Sequence, residues 1–279
     1  MNRLLRQKIS IVTHKPQTTR HKILGILSTD AWQMIFLDTP GIIEPKYLLQ
    51  SAMMKQAASA IADADLLLLL IDATARDPAG RLTDSGAFRL LKGTQKPVYL
   101  AINKVDRVDK PALLPVIASV ATAFPFRDIF PISALTGDNT DPLVSTLAAA
   151  LPEHPPLYPL DIVSEQTERF FVGEIVREKI FLLLKEEVPY STSVDVVEFR
   201  ESDTEKTFIG ADIVVERESQ KGILIGTRGA TLKRIGSSAR KDIERFLDRH
   251  VYLELHVKVR KDWRQDGAWL NRLGYEQGI

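Results

Sequence analysis

Three short apolar runs, each giving way to a polar residue at its carboxyl end, constrain the fold of this chain more than any other feature. Asp65 to Ile71 ends at Asp72, Val98 to Ile102 ends at Asn103, and Ile129 to Ile132 ends at Ser133. Helical patterns lie before and between them, at Gln50 to Ala62 and Ser85 to Leu91. Runs this short, joined by helical crossovers, predict a parallel sheet covered on both faces. Ile23 to Leu27 and Trp32 to Leu37 read as two further strands around a turn at Thr29-Asp30. Ligands of open α/β sheets bind outside the carboxyl ends of the strands. The polar residues there are therefore the first candidates for function.

The pattern changes after residue 151, where LPEHPPLYPLD packs four prolines into eleven residues. Such a stretch cannot lie inside a helix or a central strand, and it stiffens the chain as a spacer. It predicts an α/β domain over 1–151, a linker over 152–160 and a second domain over 161–279. The second domain reads as α+β. An amphipathic helix over Glu168 to Glu187 precedes strands at Val194 to Phe199 and Phe208 to Val215. Two helical segments then flank Gly226-Thr227-Arg228-Gly229, and Val251 to Val259 alternates strictly as a half-buried strand does.

Composition narrows the chemistry. There are no cysteines, which excludes disulfides, thiolate metal sites and cysteine nucleophiles and suits a reducing cytoplasm. The longest apolar run, Leu66 to Ile71, is far short of the roughly 20 residues a bilayer span needs. MNRLLRQKIS has no apolar core behind its charges and is not a secretory signal. The five histidines have no metal-ligand spacing and read as structural or surface groups, Glu216-Arg217-Glu218 as exposed charge, and Trp263 and Trp269 as anchors for the C-terminal tail. The net charge of +1 hides a basic region: residues 221–264 carry 12 Lys/Arg against 5 Asp/Glu, and the first 22 residues carry six bases and no acid. Basic surface of this kind suits a polyanion.

The strand-end motifs have a joint chemical meaning. In Asp38-Thr39-Pro40-Gly41 the carboxylate can hold Mg²⁺ through water, and the glycine lets backbone approach a terminal phosphate. In Asn103-Lys104-Val105-Asp106 the aspartate can accept from N1–H and the exocyclic amine of guanine, a pair adenine does not offer. The lysine stem can cover the ring. At Ser133-Ala134 a backbone amide can meet the guanine carbonyl. The order of all three predicts a guanine-nucleotide site. A GxxG loop between helices lets a nucleic-acid backbone come close, and the following helix N-terminus favours phosphate.

The order DTPG, NKVD, ISAL resembles the translation-factor-related GTPases. The stretch QKISIVTHKPQTTRHKI resembles the first switch region of the Era family, and QKGILIGTRGATLKRIGSSARKDIERFLDRHVYLELHVKVRKDWR with WLNRLGYE resembles its C-terminal type II KH domain. The resemblance implies a P-loop-NTPase-like GTPase domain followed by an α+β KH domain. It implies GTP hydrolysis with Mg²⁺ held by Asp38 and a switch threonine, Thr18 or Thr19, with Thr19 favoured. Ile42 stands where many small GTPases place a water-orienting glutamine, so the resemblance allows K⁺ to supply charge instead. It implies binding of the 3′ end of 16S rRNA through Gly226, Thr227, Arg228, Gly229, Lys233 and Arg234 in 30S subunit assembly. A cytoplasmic monomer that does not bind DNA is expected, with contact at the inner face of the plasma membrane left open. The family often has GKGG where this chain has GTRG; Arg228 supplies the charge that Thr227 lacks.

The family begins with a strand and a GxxxxGKS loop, and no GxxxxGK[ST] occurs in this sequence. Gly93-Thr94-Gln95-Lys96 lacks the earlier glycine and the hydroxyl. That loop supplies backbone N–H groups, a lysine and a Mg²⁺-binding hydroxyl. The expectation is a GTPase domain truncated at its first strand, with a gap beside Trp32 to Leu37 and Asp65 to Ile71 and weakened GTP binding. The alternative is an RNA-binding module that no longer binds nucleotide.

Overall fold

The computed structural model describes residues 1–201 and 206–275. A short helix α1 (Asn2–Leu5) and an irregular segment lead into the hairpin β1 (Ile23–Ser28) and β2 (Gln33–Asp38). The Thr29 hydroxyl closes its turn, accepting from the amides of Ala31 and Trp32. Then follow α2 (Leu48–Asp63), β3 (Leu67–Asp72), α3 (Pro78–Thr83), α4 (Gly86–Lys92), β4 (Val98–Asn103), α5 (Lys110–Ala123), β5 (Ile129–Ile132) and α6 (Thr140–Ala150). The second unit contains α7 (Glu168–Leu183), β6 (Ser193–Arg200), β7 (Thr207–Val215), α8 (Glu218–Ile225), α9 (Ala230–Leu247), β8 (Val251–Val259) and α10 (Gly267–Arg272).

The first unit does not form one continuous sheet. The strands β3, β4 and β5 pair in parallel, whereas among the described residues β1 and β2 pair only with each other, antiparallel. The two parts share a core: Met34 and Phe36 pack with Leu66, Leu68, Tyr99, Phe130, Ile132 and Leu147. Leu70, on β3, which pairs only with β4, is 54% exposed. Gly25 lets α1 lie close: a Cβ there would come within 2.7 Å of Leu5 Cδ1 and of Met1 Sδ.

No helix or strand lies between Ala150 and Glu168. This proline-rich stretch is attached to the hairpin rather than free. Gln33 accepts from the amides of Leu157 and Tyr158, and Ile26 donates its amide to Val163 O at 2.8 Å.

In the second unit β7 is central, antiparallel to β6 and parallel to β8. One face of this sheet packs on the helices: Ile209, Ala211, Ile213 and Val215 meet Val172, Val176 and Ile180 of α7, Leu224 of α8, and Ile235, Ala239 and Ile243 of α9. Burying each large aliphatic side chain stabilises by about 1.5–3 kcal/mol. The opposite face presents Val214 to a second cluster with Trp263, Leu270 and Tyr275 of the tail and Leu49, Ala52 and Met53 of α2. The sheet therefore carries a helix of the first unit on its back. Helix α7 is buried nearly all round, Glu174, Arg177, Glu178 and Lys179 included. It is not the simple amphipathic helix its pattern suggests, because residues 8–21 cover its polar side.

Candidate nucleotide site and nucleic-acid interface

At the carboxyl end of β4, Asn103 organises two motifs. Its Oδ1 accepts from the Lys104 amide at 2.8 Å and from the Ala134 amide at 2.9 Å. Lys104 has φ of 70°, the left-handed region a non-glycine residue seldom adopts. That turn starts a short 3₁₀ segment, Val105–Arg107, and leaves Asp106 exposed beside Asn103. The register pairs Asp72 with Asn103 across β3 and β4, and Lys104 Nζ lies 2.6 Å from the Asp72 carboxylate. Burial alone would raise the Asp72 carboxyl, but the Lys104 ammonium and Thr74 outweigh it and hold it below its ordinary value. The sequence does not reveal this partner, although Asp72 closes β3 as Asn103 closes β4; β3 is only half-buried, not the buried strand its apolar run suggests.

Two assignments shift in detail. The Ala134 N–H expected to meet a guanine carbonyl is engaged by Asn103. The Ser133 side chain is buried and closes its own loop, with Oγ accepting from the Thr136 amide at 3.1 Å.

The other end of the site follows β2. Burial pushes the half-buried Asp38 carboxyl above its ordinary value, partly offset by the nearby Ser10 hydroxyl. Ser10 Oγ is itself buried and has no hydrogen bond of ordinary geometry. Thr39 and Pro40 continue as irregular chain, and Gly41 is exposed with nothing within 4 Å of a Cβ position. Ile42 is turned toward α4: its Cγ2 would lie 3.0 Å from a Cβ on Gly86. Thr19 is half-buried, and among the described residues no hydrogen bond joins it to Asp38.

Thr19 is instead flanked by residues gripped from the second unit. Arg177 Nη2 donates to Thr18 O at 2.5 Å. Arg20 is 4% exposed and donates to the carbonyls of Thr192, Tyr190 and Pro189. Burial, with Arg177 nearby, lowers the Arg20 pKa to about 10. His21 stacks on Tyr275 at 4.2 Å, and burial lowers its pKa to about 4. Farther back, Lys8 pairs with Glu178 and Asp242, and Val12 donates its amide to Glu178. Nor is Glu216 simple exposed charge, because it pairs with Arg264.

The His21 environment gives a pH dependence. Its folded pKa lies below the unfolded value of 6.5, so between the two the unfolded chain binds more protons. Stability is then lost as pH falls from about 6.5 toward 4. His21→Asn should flatten the decline of the melting midpoint between pH 7 and pH 5. An equally steep decline in the variant would show that His21 does not cause it.

The GxxG segment joins α8 to α9. Gly226, Arg228 and Gly229 all have positive φ, at 71°, 51° and 77°. A Cβ on Gly226 would strike Thr231 Oγ1 at 2.2 Å, whereas one on Gly229 would meet nothing. Thr227, Arg228, Lys233 and Arg234 are exposed around the N-terminus of the 18-residue α9. Unpaired amides and the helix dipole make that end favourable to phosphate.

A strand-end site for a guanine base, joined to an α+β unit with a glycine loop between two helices, defines a GTPase carrying a KH domain. Comparison with known proteins agrees. A family model described as 50S ribosome-binding GTPase matches residues 1–104, and a KH domain model matches residues 187–264. GTPase Era of Geobacter metallireducens is 47% identical over 276 residues, which is 99% of this chain and 92% of the relative. GTPase Era of Geotalea daltonii is 46% identical over the same shares. The crystal structure of an Aquifex aeolicus Era variant bound to GDP and aluminium tetrafluoride superposes with a TM-score of 0.90 at 40% identity, covering 99% of this chain and 93% of that one. A structure of Era with MgGDPNP and nucleotides 1506–1542 of 16S ribosomal RNA matches equally, at 0.90 and 40%. The chain belongs to the Era family of GTPases.

Proposed function

We propose that the protein binds and hydrolyses GTP and holds the 3′ end of 16S rRNA during assembly of the 30S subunit, acting as a cytoplasmic monomer. The observation that carries the nucleotide part is Asn103 bridging Lys104 and Ala134, with Asp106 exposed beside it. Asp106 would accept from the guanine edge, Asn103 and the Ser133-Ala134 loop would frame the base, and Lys104 would cover it. A relative with bound MgGDPNP and rRNA supports both ligands.

Mg²⁺ fits the oxygen groups present. Asp38, with the unpartnered Ser10 hydroxyl close by, lies at the phosphate end. Asp38 would hold the ion through water and Thr19 would hold it directly, where it would neutralise charge on the phosphates. Thr39, Pro40 and Gly41 would pass alongside the terminal phosphate. Ile42 cannot polarise water, so charge for hydrolysis would come from elsewhere, with K⁺ as a candidate. RNA backbone would lie against Gly226, Thr227, Arg228 and Gly229, with Lys233 and Arg234 neutralising phosphates, as KH loops clamp about four single-stranded nucleotides.

Asp106→Asn tests the base site. Two hydrogen bonds to a charged acceptor contribute roughly 1.5–3 kcal/mol each, so GDP affinity should fall at least about a hundredfold. Xanthosine diphosphate, whose ring offers a carbonyl in place of the amine, should gain. A titration of fluorescent GDP that gives the same affinity for both proteins would remove Asp106 from the site.

A further inference from the structure

Asp72 belongs to none of the groups assigned to the base, the phosphates or the ion, yet both oxygens of its carboxylate are engaged. Oδ1 accepts from the Thr74 amide at 2.9 Å and from the Thr74 hydroxyl at 2.7 Å. Oδ2 lies 2.6 Å from Lys104 Nζ. The backbone around it is fixed as well. Asp72 pairs with Asn103 in the β3–β4 register, and the next amide, that of Ala73, donates to Asn103 O at 2.9 Å.

The position of the pair matters more than its strength. Asp72 is the last residue of β3, and Lys104 directly follows the last residue of β4. Neighbouring strands lie about 4.8 Å apart, so the lysine stem runs across the carboxyl ends of two adjacent strands, where ligands of open α/β sheets bind. The Lys104 and Asp72 side chains are 45% and 39% exposed, and an ion pair so open to water adds little to the stability of the fold. It does restrain a side chain. A lysine ammonium is strongly hydrated and rides on a flexible stem. Tied at its tip, the stem becomes a fixed apolar strip of methylenes.

We infer that Asp72 is a positioning residue of the guanine site, holding Lys104 so that its stem lies ready to cover the base. The inference rests on reading Asn103-Lys104-Val105-Asp106 as the base site. A lysine stem that had to be ordered on binding would lower affinity by up to about tenfold through lost rotamer freedom. Asp72 orders it beforehand. Thr74 supports Asp72 in turn, since two donors on Oδ1 keep the carboxylate turned so that Oδ2 meets the ammonium. Asp72 acts through Lys104 and touches neither base nor phosphate.

The test is a double-mutant cycle read by titration of fluorescent GDP into the full chain. Asp72→Asn keeps an oxygen for the Thr74 donors and turns its amide NH2 toward the Lys104 ammonium, donor against donor. Lys104→Met keeps an unbranched apolar stem and removes the ammonium. The natural sequence, both single variants and the double variant are compared, with melting curves showing all four folded. Asp72→Asn should weaken GDP binding about tenfold in the natural background and less than about twofold in the Lys104→Met background. An equal loss in both backgrounds would mean that Asp72 serves only its own turn, and would overturn the inference. Equal GDP affinity of the natural sequence and Asp72→Asn, with Asp106→Asn still weakening it, would also overturn the role of Asp72 while leaving the base site standing. No saturable GDP binding, or an affinity that Asp106→Asn does not move, would remove the base site itself and this role with it.

Discussion

Replacing Trp263 by alanine is expected to lower the unfolding free energy by about 3–5 kcal/mol, the range for emptying a buried aromatic site. Trp263 is fully buried, and its indole N–H donates to Ser191 O at 2.9 Å. Its neighbours are Val214 of the KH sheet, Leu270 and Tyr275 of the tail, and Leu49, Ala52 and Met53 of α2 in the GTPase domain. Removing the ring empties a cluster shared by both domains and leaves the Ser191 carbonyl without its donor. The loss should show in urea unfolding, and amide exchange should quicken along residues 48–63. A destabilisation under about 1 kcal/mol, the size of a surface change, would mean that α2 does not pack on the KH sheet in this way.

Glu174→Gln is expected to cost about 3–5 kcal/mol, the usual consequence of removing one partner from a buried ion pair. Glu174 and Arg177 are 9% and 3% exposed and are joined by two hydrogen bonds of 2.7 and 2.6 Å. Burial alone would raise the Glu174 carboxyl, yet the Arg177 guanidinium holds it below its ordinary value. The variant leaves Arg177 and Arg20 buried near each other with no negative charge between them. The sign with pH follows. A carboxyl depressed in the folded state stabilises above its unfolded value of 4.5 and loses that stability as pH falls through the folded value. The gap between the natural protein and Glu174→Gln should therefore be full at pH 7 and narrow as pH falls below about 4.5 through the folded value. A gap that stays constant across that range would show that the charge of Glu174 is not what matters.

Much of the architecture is legible in the sequence because local pattern and tertiary environment agree. Ile129 to Ile132 and Val251 to Val259 begin and end where their apolar residues do. The Thr29 turn, the proline-rich connection and the glycine loop are set by short-range backbone chemistry. The motifs DTPG and NKVD lie at strand ends as their order requires. What sequence could not show was the surface on which the first switch region lies. Glu174, Arg177, Glu178 and Lys179 read as the polar face of a helix because polar residues at that spacing normally meet water. Here residues 8–21 meet Arg177 and Glu178 instead, from more than 150 positions away in the chain, while Lys179 pairs with Asp242 of α9. Arg20 gave no signal either, since its acceptors are backbone carbonyls, which no side-chain pattern encodes. The Asp72–Lys104 pair is not legible: the sequence marks Asp72 as a strand end and Lys104 as a cover for the base, and their contact depends on the β3–β4 register.

The proposed clamping of RNA at the glycine loop of the KH domain is tested most directly by Gly229→Asp. Position 229 has φ of 77° with nothing within 4 Å of a Cβ, and aspartate is among the residues that tolerate such a conformation. The change should leave the fold in place while bringing a carboxylate against a phosphate. Fluorescence anisotropy with a labelled oligonucleotide of the 16S rRNA 3′ end should give saturable binding for the natural sequence and at least about a tenfold loss for the variant, with little change in urea unfolding. Equal affinity of the two proteins for that RNA would contradict the assignment of the glycine loop as the clamp.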